Sequence, residues 1–127
     1  MTAKKTATAT EKPTRAQMLQ AACAQYGTGK LHKIEGVEPL ALYTKVFGTK
    51  EFRDLAARAE SFDERHTDGY NEERRQALEL FDEDGQQLFD PENMEDMLYL
   101  ANLPFMLRQR ISLACAQINS GSWLKNG

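Results

Sequence analysis

A chain of 127 residues, 41% hydrophobic and 28% charged, has the size and composition of one globular domain with a modest core. No run approaches the roughly 18 apolar residues of a membrane span, and no apolar stretch follows Lys4 and Lys5 to make a secretory signal. The net charge of −3 is unevenly spread: Lys4, Lys5, Lys12 and Arg15 against Glu11 leave +3 on residues 1–15 and −6 on the other 112, and an acidic body argues against broad nucleic-acid binding.

Residues 1–13 hold Thr, Ala, Lys and one Pro with no large apolar group after Met1, too little to offset the entropy of ordering. A disordered tail is expected there. Four basic residues without aromatic neighbours make a poor nucleic-acid arm. Thr14 and Gln17 then form a capping box, and Met18, Leu19, Ala22, Cys23 and Tyr26 make one stripe at helical spacing. Gly27 supplies the left-handed stop. Residues 30–43 contain Leu31, Ile34, Val37, Leu40 and Leu42 around Glu35-Gly36, which suits a hairpin or edge-strand pair, since Pro39 would break a central strand.

Thr49 is expected to cap a second helix with Phe52, Leu55, Ala56 and Ala59 on one face. After the Asp68-Gly69 turn, Asn71 caps a third, with Glu72 and Glu73 in its first turn and Ala77, Leu78 and Phe81 facing the core. Asp82 to Gly85 form a polar turn. Asp90 caps a fourth helix with Pro91 in its first turn, burying Met94, Met97, Leu98 and Ala101. Pro104 opens the last helix, where Leu107, Ile111, Ala114, Cys115 and Ile118 share a face up to Gly121. The expectation is a mainly α fold: about five short helices packed as one domain over residues 14–121, with a short β-hairpin near residues 30–43 and a C-terminal extension at 122–127.

Motifs that carry chemistry are scarce. Cys23 and Cys115 are distant, sit among apolar neighbours and have no knuckle spacing, so both are expected as small core residues in a reducing compartment. Asp82-x-Asp84-Gly85 fails as an EF-hand, because that register puts Leu80 first and Pro91 twelfth, and neither offers a side-chain oxygen. Seven acids and no base lie between Asp82 and Asp96; they suit either a polar turn and an acidic helix start or a face for a basic partner. Asp63 and His66 give two ligands at best, which do not make a metal site. Gly27-Thr28-Gly29-Lys30 follows a helix and lacks the earlier glycine of a phosphate loop. His32 falls in the hairpin. No catalytic, cofactor-binding or metal-ligating residue is expected. Trp123 lies beyond the last helix, as a packing lid or as an anchor for another subunit.

From about residue 76 to 121 the pattern is distinctive. Ala77-Leu78-Glu79-Leu80-Phe81-Asp82-Glu83-Asp84-Gly85-Gln86-Gln87-Leu88-Phe89 resembles the acidic turn, glycine and Leu-Phe element of tail assembly chaperones of long-tailed (siphovirus-type) bacteriophages. Asp90 to Leu98 is similar to that family's acidic helix start. Leu103-Pro104, Arg108-Gln109-Arg110-Ile111 and Ile118-Asn119-Ser120-Gly121 resemble its last helix and ending. The segment from Glu64 to Asn71 and the Thr/Lys-rich tail depart from the pattern.

The resemblance implies a non-catalytic protein of the host cytoplasm, absent from the finished virion. It would bind the tape measure protein while tail-tube protein subunits are recruited, self-associate as a homo-oligomer, and use neither nucleic acid nor membrane. It further implies a frameshifted longer form, for which an A-rich run encoding Leu124-Lys125-Asn126 would serve. A helical client needs adaptable apolar contacts, and the residues expected to supply them are Met94, Met97, Met106, Trp123 and Leu124. Two other readings compete. A small DNA-binding regulator would have to rely on Arg108 and Arg110 against an acidic body, and a head–tail connector would appear in purified virions.

Overall fold

A computed structural model describes residues 12–121, among which lie five α-helices and one two-stranded antiparallel sheet. In chain order these are α1 (Arg15–Tyr26), β1 (Leu31–Lys33), β2 (Tyr43–Lys45), α2 (Thr49–Arg65), α3 (Asn71–Ala77), α4 (Met94–Ala101) and α5 (Phe105–Ser120). The mainly helical class with a small hairpin is as expected. Most of the tail at 1–13, and the extension at 122–127 with Trp123 and Leu124, lie outside the described residues.

Helix α1 has both of its expected caps. Thr14 Oγ1 accepts from Gln17 N–H at 3.1 Å, and Gln17 Oε1 accepts from Thr14 N–H at 2.8 Å. Gly27 closes the helix at φ 69°, a left-handed value that glycine adopts without strain. Yet α1 buries none of its residues. Cys23 is only half-buried, which corrects its expected place in the core. The reason is positional: among the described residues no other element encloses the stripe.

The hairpin pairs Leu31 with Lys45, His32 with Thr44 and Lys33 with Tyr43. Its second strand therefore ends two residues beyond the expected segment, and Pro39 falls in the connecting loop, which contains a cis Glu38–Pro39 bond. That loop carries apolar weight: Ile34, Val37 and Leu42 enter the core beside Ala77, Leu80, Met97, Leu100, Ile111 and Cys115. Each such aliphatic side chain contributes roughly 1.5–3 kcal/mol on burial.

Three helix starts differ from expectation. Gly48, not Thr49, is the N-cap of α2 and makes no side-chain cap bond. Tyr70 precedes α3, while Asn71 is already helical and turns its amide to Asp63 and to the His66 carbonyl. Helix α4 begins only at Met94, capped by Asn93, whose side chain accepts from Asp96 N–H at 3.1 Å. Asp90 is occupied otherwise: its Oδ1 accepts from Glu92 N–H at 2.9 Å, which holds Pro91 in a turn outside the helix. The face that turns inward carries Met97 and Leu100, which are buried, whereas Met94 and Leu98 stay 41% and 40% exposed.

Two polar clusters fix the layout. Arg74, with a side chain only 4% exposed, donates to both Asp68 carboxylate oxygens at 2.7 Å, to Asn71 Oδ1 at 2.9 Å and to the Pro91 carbonyl at 3.1 Å. This bidentate geometry ties the turns on either side of α3 together. Arg108 of α5 pairs with the buried Glu73 and donates to Gln76 Oε1 at 2.9 Å, binding α5 to α3.

Candidate functional site

Helix α2 is attached mainly through its C-terminal end. Phe62 is fully buried there, and Arg65 and His66 both bind Glu92, at 2.9 and 3.0 Å. Towards its N-terminus the expected face of Phe52, Leu55, Ala56 and Ala59 does form, but it does not reach a core. It looks across an open groove of about 550 Å³ at Ser112, Cys115, Ala116 and Asn119 of α5. Arg75 of α3, Leu78 and Glu79 from the segment after it, and Ser120 complete the lining.

Asn119 holds one end of the groove in place. Its Oδ1 accepts from Phe47 N–H at 3.0 Å, and its Nδ2 donates to the carbonyls of Lys45 and Cys115 at 3.1 and 3.2 Å. The last turn of α5 is thus pinned to the β2 strand and the approach to α2. Nothing in helical periodicity marks this residue, because its role is a contact over more than seventy positions of sequence.

The chemistry of the groove is that of a partly desolvated acid beside a buried thiol. Burial pushes the Glu79 carboxyl above its usual range. Burial also pushes the Cys115 thiol up to about 12, with the neighbouring Glu79 charge adding to the effect. A thiol so disposed remains protonated and unreactive near neutrality. An acid placed inside the apolar run Ala77-Leu78-Glu79-Leu80-Phe81 is the sequence signal that could have marked Glu79.

Further exposed apolar residues lie on α4 and on α5. Met94 and Leu98 are one turn apart on α4, and Met106 and Leu113 are two turns apart on α5, where they are 66% and 58% exposed. Phe105 beside them is 74% exposed. Of the residues expected to meet a partner, Met94 and Met106 are therefore at the surface. Met97 is not: it is enclosed in the core with Leu100 and Ile111, so it packs the domain.

The other candidate constellations resolve into structure. Asp63 receives Arg75 at 2.6 Å and the Asn71 amide, while His66 faces Glu92. Among the described residues no group of three or more His, Cys, Asp or Glu is placed to hold a metal, and no helix is long and apolar enough to cross a membrane. In the acidic run, Asp82 Oδ1 accepts from the N–H groups of Asp84 and Gln86, at 2.9 and 3.0 Å, around Gly85 at φ 82°. Asp96 Oδ2 accepts from Asp90 N–H at 2.8 Å, and the Arg65 guanidinium, then His66, hold the Glu92 carboxyl below its usual range. Four of the seven acids thus serve turns or an ion pair, which leaves Glu83, Asp84 and Glu95 as the solvated remainder. Compared with models of known families, with curated proteins and with solved structures, the chain matches none.

Proposed function

We propose that the chain is a tail assembly chaperone of a long-tailed bacteriophage, which binds the tape measure protein without catalysis and helps to recruit tail-tube subunits. On this reading it acts in the host cytoplasm and leaves before the virion is complete. Residues 76–121 supply the likeness on which the reading rests. The observation that supports it most is the exposure of large apolar residues at helical spacing on each of two successive helices, Met94 and Leu98 on α4 and Met106 and Leu113 on α5.

A folded domain that leaves large apolar groups on two successive helices offers a docking surface for an amphipathic helix. Unbranched thioethers adjust to irregular partners with little strain, which suits a long client presenting many similar but unequal turns. A holdase of this kind needs contact area and adaptability and no reacting group.

Co-expression tests the proposal. The tape measure protein encoded beside this chain should stay soluble in its presence. Replacing Met106 and Leu113 by Asp should abolish that rescue while the variant keeps its own helical circular dichroism, because both positions are solvent-facing. Equal precipitation of the tape measure with and without this chain would defeat the reading.

A further inference from the structure

Besides the exposed residues of α4 and α5, two apolar faces lack a cover among the described residues, and they match in length. The first is the α1 stripe: Met18 and Leu19 are 52% and 67% exposed, and Tyr26 is exposed beside them. A helix of 12 residues is marginal in water by itself, so a stripe of this kind gains most from a partner. The second is the groove between α2 and α5. From Met18 to Tyr26, and from Ser112 to Ser120, there are eight residue steps, each spanning about 12 Å at 1.5 Å per residue. The stripe and the groove wall are equal in length.

The two segments also differ in net charge, and of the two charged residues that line the groove, Arg75 is paired with Asp63 at 2.6 Å. Residues 12–33 contain Lys12, Arg15, Lys30 and Lys33 and no acid, a net +4. Residues 34–121 contain nine Lys and Arg against eighteen Asp and Glu, a net −9. The match extends to single residues. Arg15 stands three and four positions before Met18 and Leu19, so it extends the same stripe. The groove lining includes Glu79, a carboxylate among apolar neighbours.

The helix does not reach its own groove, because the connection has no slack. Thr28 N–H donates to the Cys23 carbonyl at 3.1 Å, Gly29 N–H to Val46 at 2.7 Å and Lys30 N–H to Gly27 at 2.8 Å, and β1 begins at the next residue. Each of these bonds fixes the direction of α1 relative to the hairpin.

We propose that α1 of one copy of this chain docks in the α2–α5 groove of a second copy, with the Met18–Tyr26 stripe covering the groove and Arg15 meeting Glu79. Exchange is reciprocal, so the same contact forms twice about a two-fold axis and the pair closes as a dimer. Alanines on both sides, Ala22 against Ala56, Ala59 and Ala116, permit the close approach of helix axes that such packing requires. The inference does not depend on the tape-measure reading: a dimer that leaves a tape measure insoluble would keep this contact and lose that function.

The test is sedimentation of the full chain over a concentration series, with a cross-link to locate the contact. Wild type should pass from monomer to dimer, and Leu19→Asp, at a position 67% exposed, should weaken dimerisation at least tenfold with circular dichroism preserved. In Ala116→Cys, mild oxidation should join Cys23 to the new thiol between chains, and adding Cys23→Ser should remove the bond. A chain monomeric at every concentration would overturn the proposal. So would a dimer indifferent to Leu19→Asp, or a Cys23 cross-link that forms within one chain.

Discussion

Helix α1 carries nearly every local signal for a helix and buries none of its side chains, whereas α3 carries few and buries four of its seven residues. The first has a capping box, a left-handed glycine stop and an apolar stripe. The second has no side-chain cap, and its buried set is Glu73, Arg74, Gln76 and Ala77. Local chemistry decides whether a segment is helical; the rest of the chain decides whether the helix is enclosed. The stability of α3 comes from tertiary bonds made by polar groups, so the two helices should respond in opposite ways to substitution.

The largest effect is expected at Arg74. Its guanidinium makes four hydrogen bonds to Asp68, Asn71 and Pro91, and bonds to charged groups are worth about 1.5–3 kcal/mol each without being additive. Arg74→Ala should lower the free energy of unfolding by about 3 kcal/mol, read from urea denaturation. The same contact has a pH signature. The Arg74 guanidinium, and then the Tyr70 N–H, hold the Asp68 carboxyl well below the usual range. A depressed acid contributes stability above its unfolded value and loses it as pH falls toward the folded one. Wild type should therefore lose stability on acidification below about pH 4, and Arg74→Ala should lose less.

Glu79 gives a smaller effect of the opposite sign. Burial raises its carboxyl, so the folded state holds that proton more tightly than the unfolded state does. Stability from this group is full below the unfolded value and declines as pH rises through the folded one. Glu79→Gln should melt at a higher temperature than wild type at pH 7, with the difference vanishing near pH 4. The comparison belongs at dilution, where no second copy supplies Arg15. Equal melting at both pH values would show that the Glu79 charge carries no cost in the fold.

How much was legible follows the same division. The caps of α1 and the Asp82–Gly85 turn rest on contacts within a few residues, and the α5 face of Leu107, Ile111, Ala114, Cys115 and Ile118 shows as helical periodicity, so all are visible in the sequence. Periodicity also picked out Phe52, Leu55, Ala56 and Ala59 correctly as one face. It could not say that this face borders a groove, because an apolar stripe looks the same whether it meets a core or an open surface. Met97, expected both in the buried stripe of its helix and among the partner contacts, is buried for a related reason. Methionine suits both interior and docking surface, and only the packing of α4 against distant segments, with Met97 beside Leu100 and Ile111, shows which methionine turns inward. Arg74 and Asn119 were out of reach, since their partners are distant in sequence or irregular in structure.

The smallest effect on the whole fold should come from the harshest local change. Ala21 is exposed in the middle of α1, and proline there costs that helix about 3 kcal/mol. In α3 a loss of that size would threaten the domain. In α1 of a dilute monomer, Ala21→Pro should remove the ellipticity of roughly one helix while the free energy of unfolding from urea denaturation stays within about 0.5 kcal/mol of wild type, and the midpoint with it. A midpoint that falls in step with the ellipticity would mean that α1 and the core unfold as one unit. An unchanged midpoint in the monomer, with dimerisation lost at high concentration, would show that the signals concentrated in α1 serve a contact between copies.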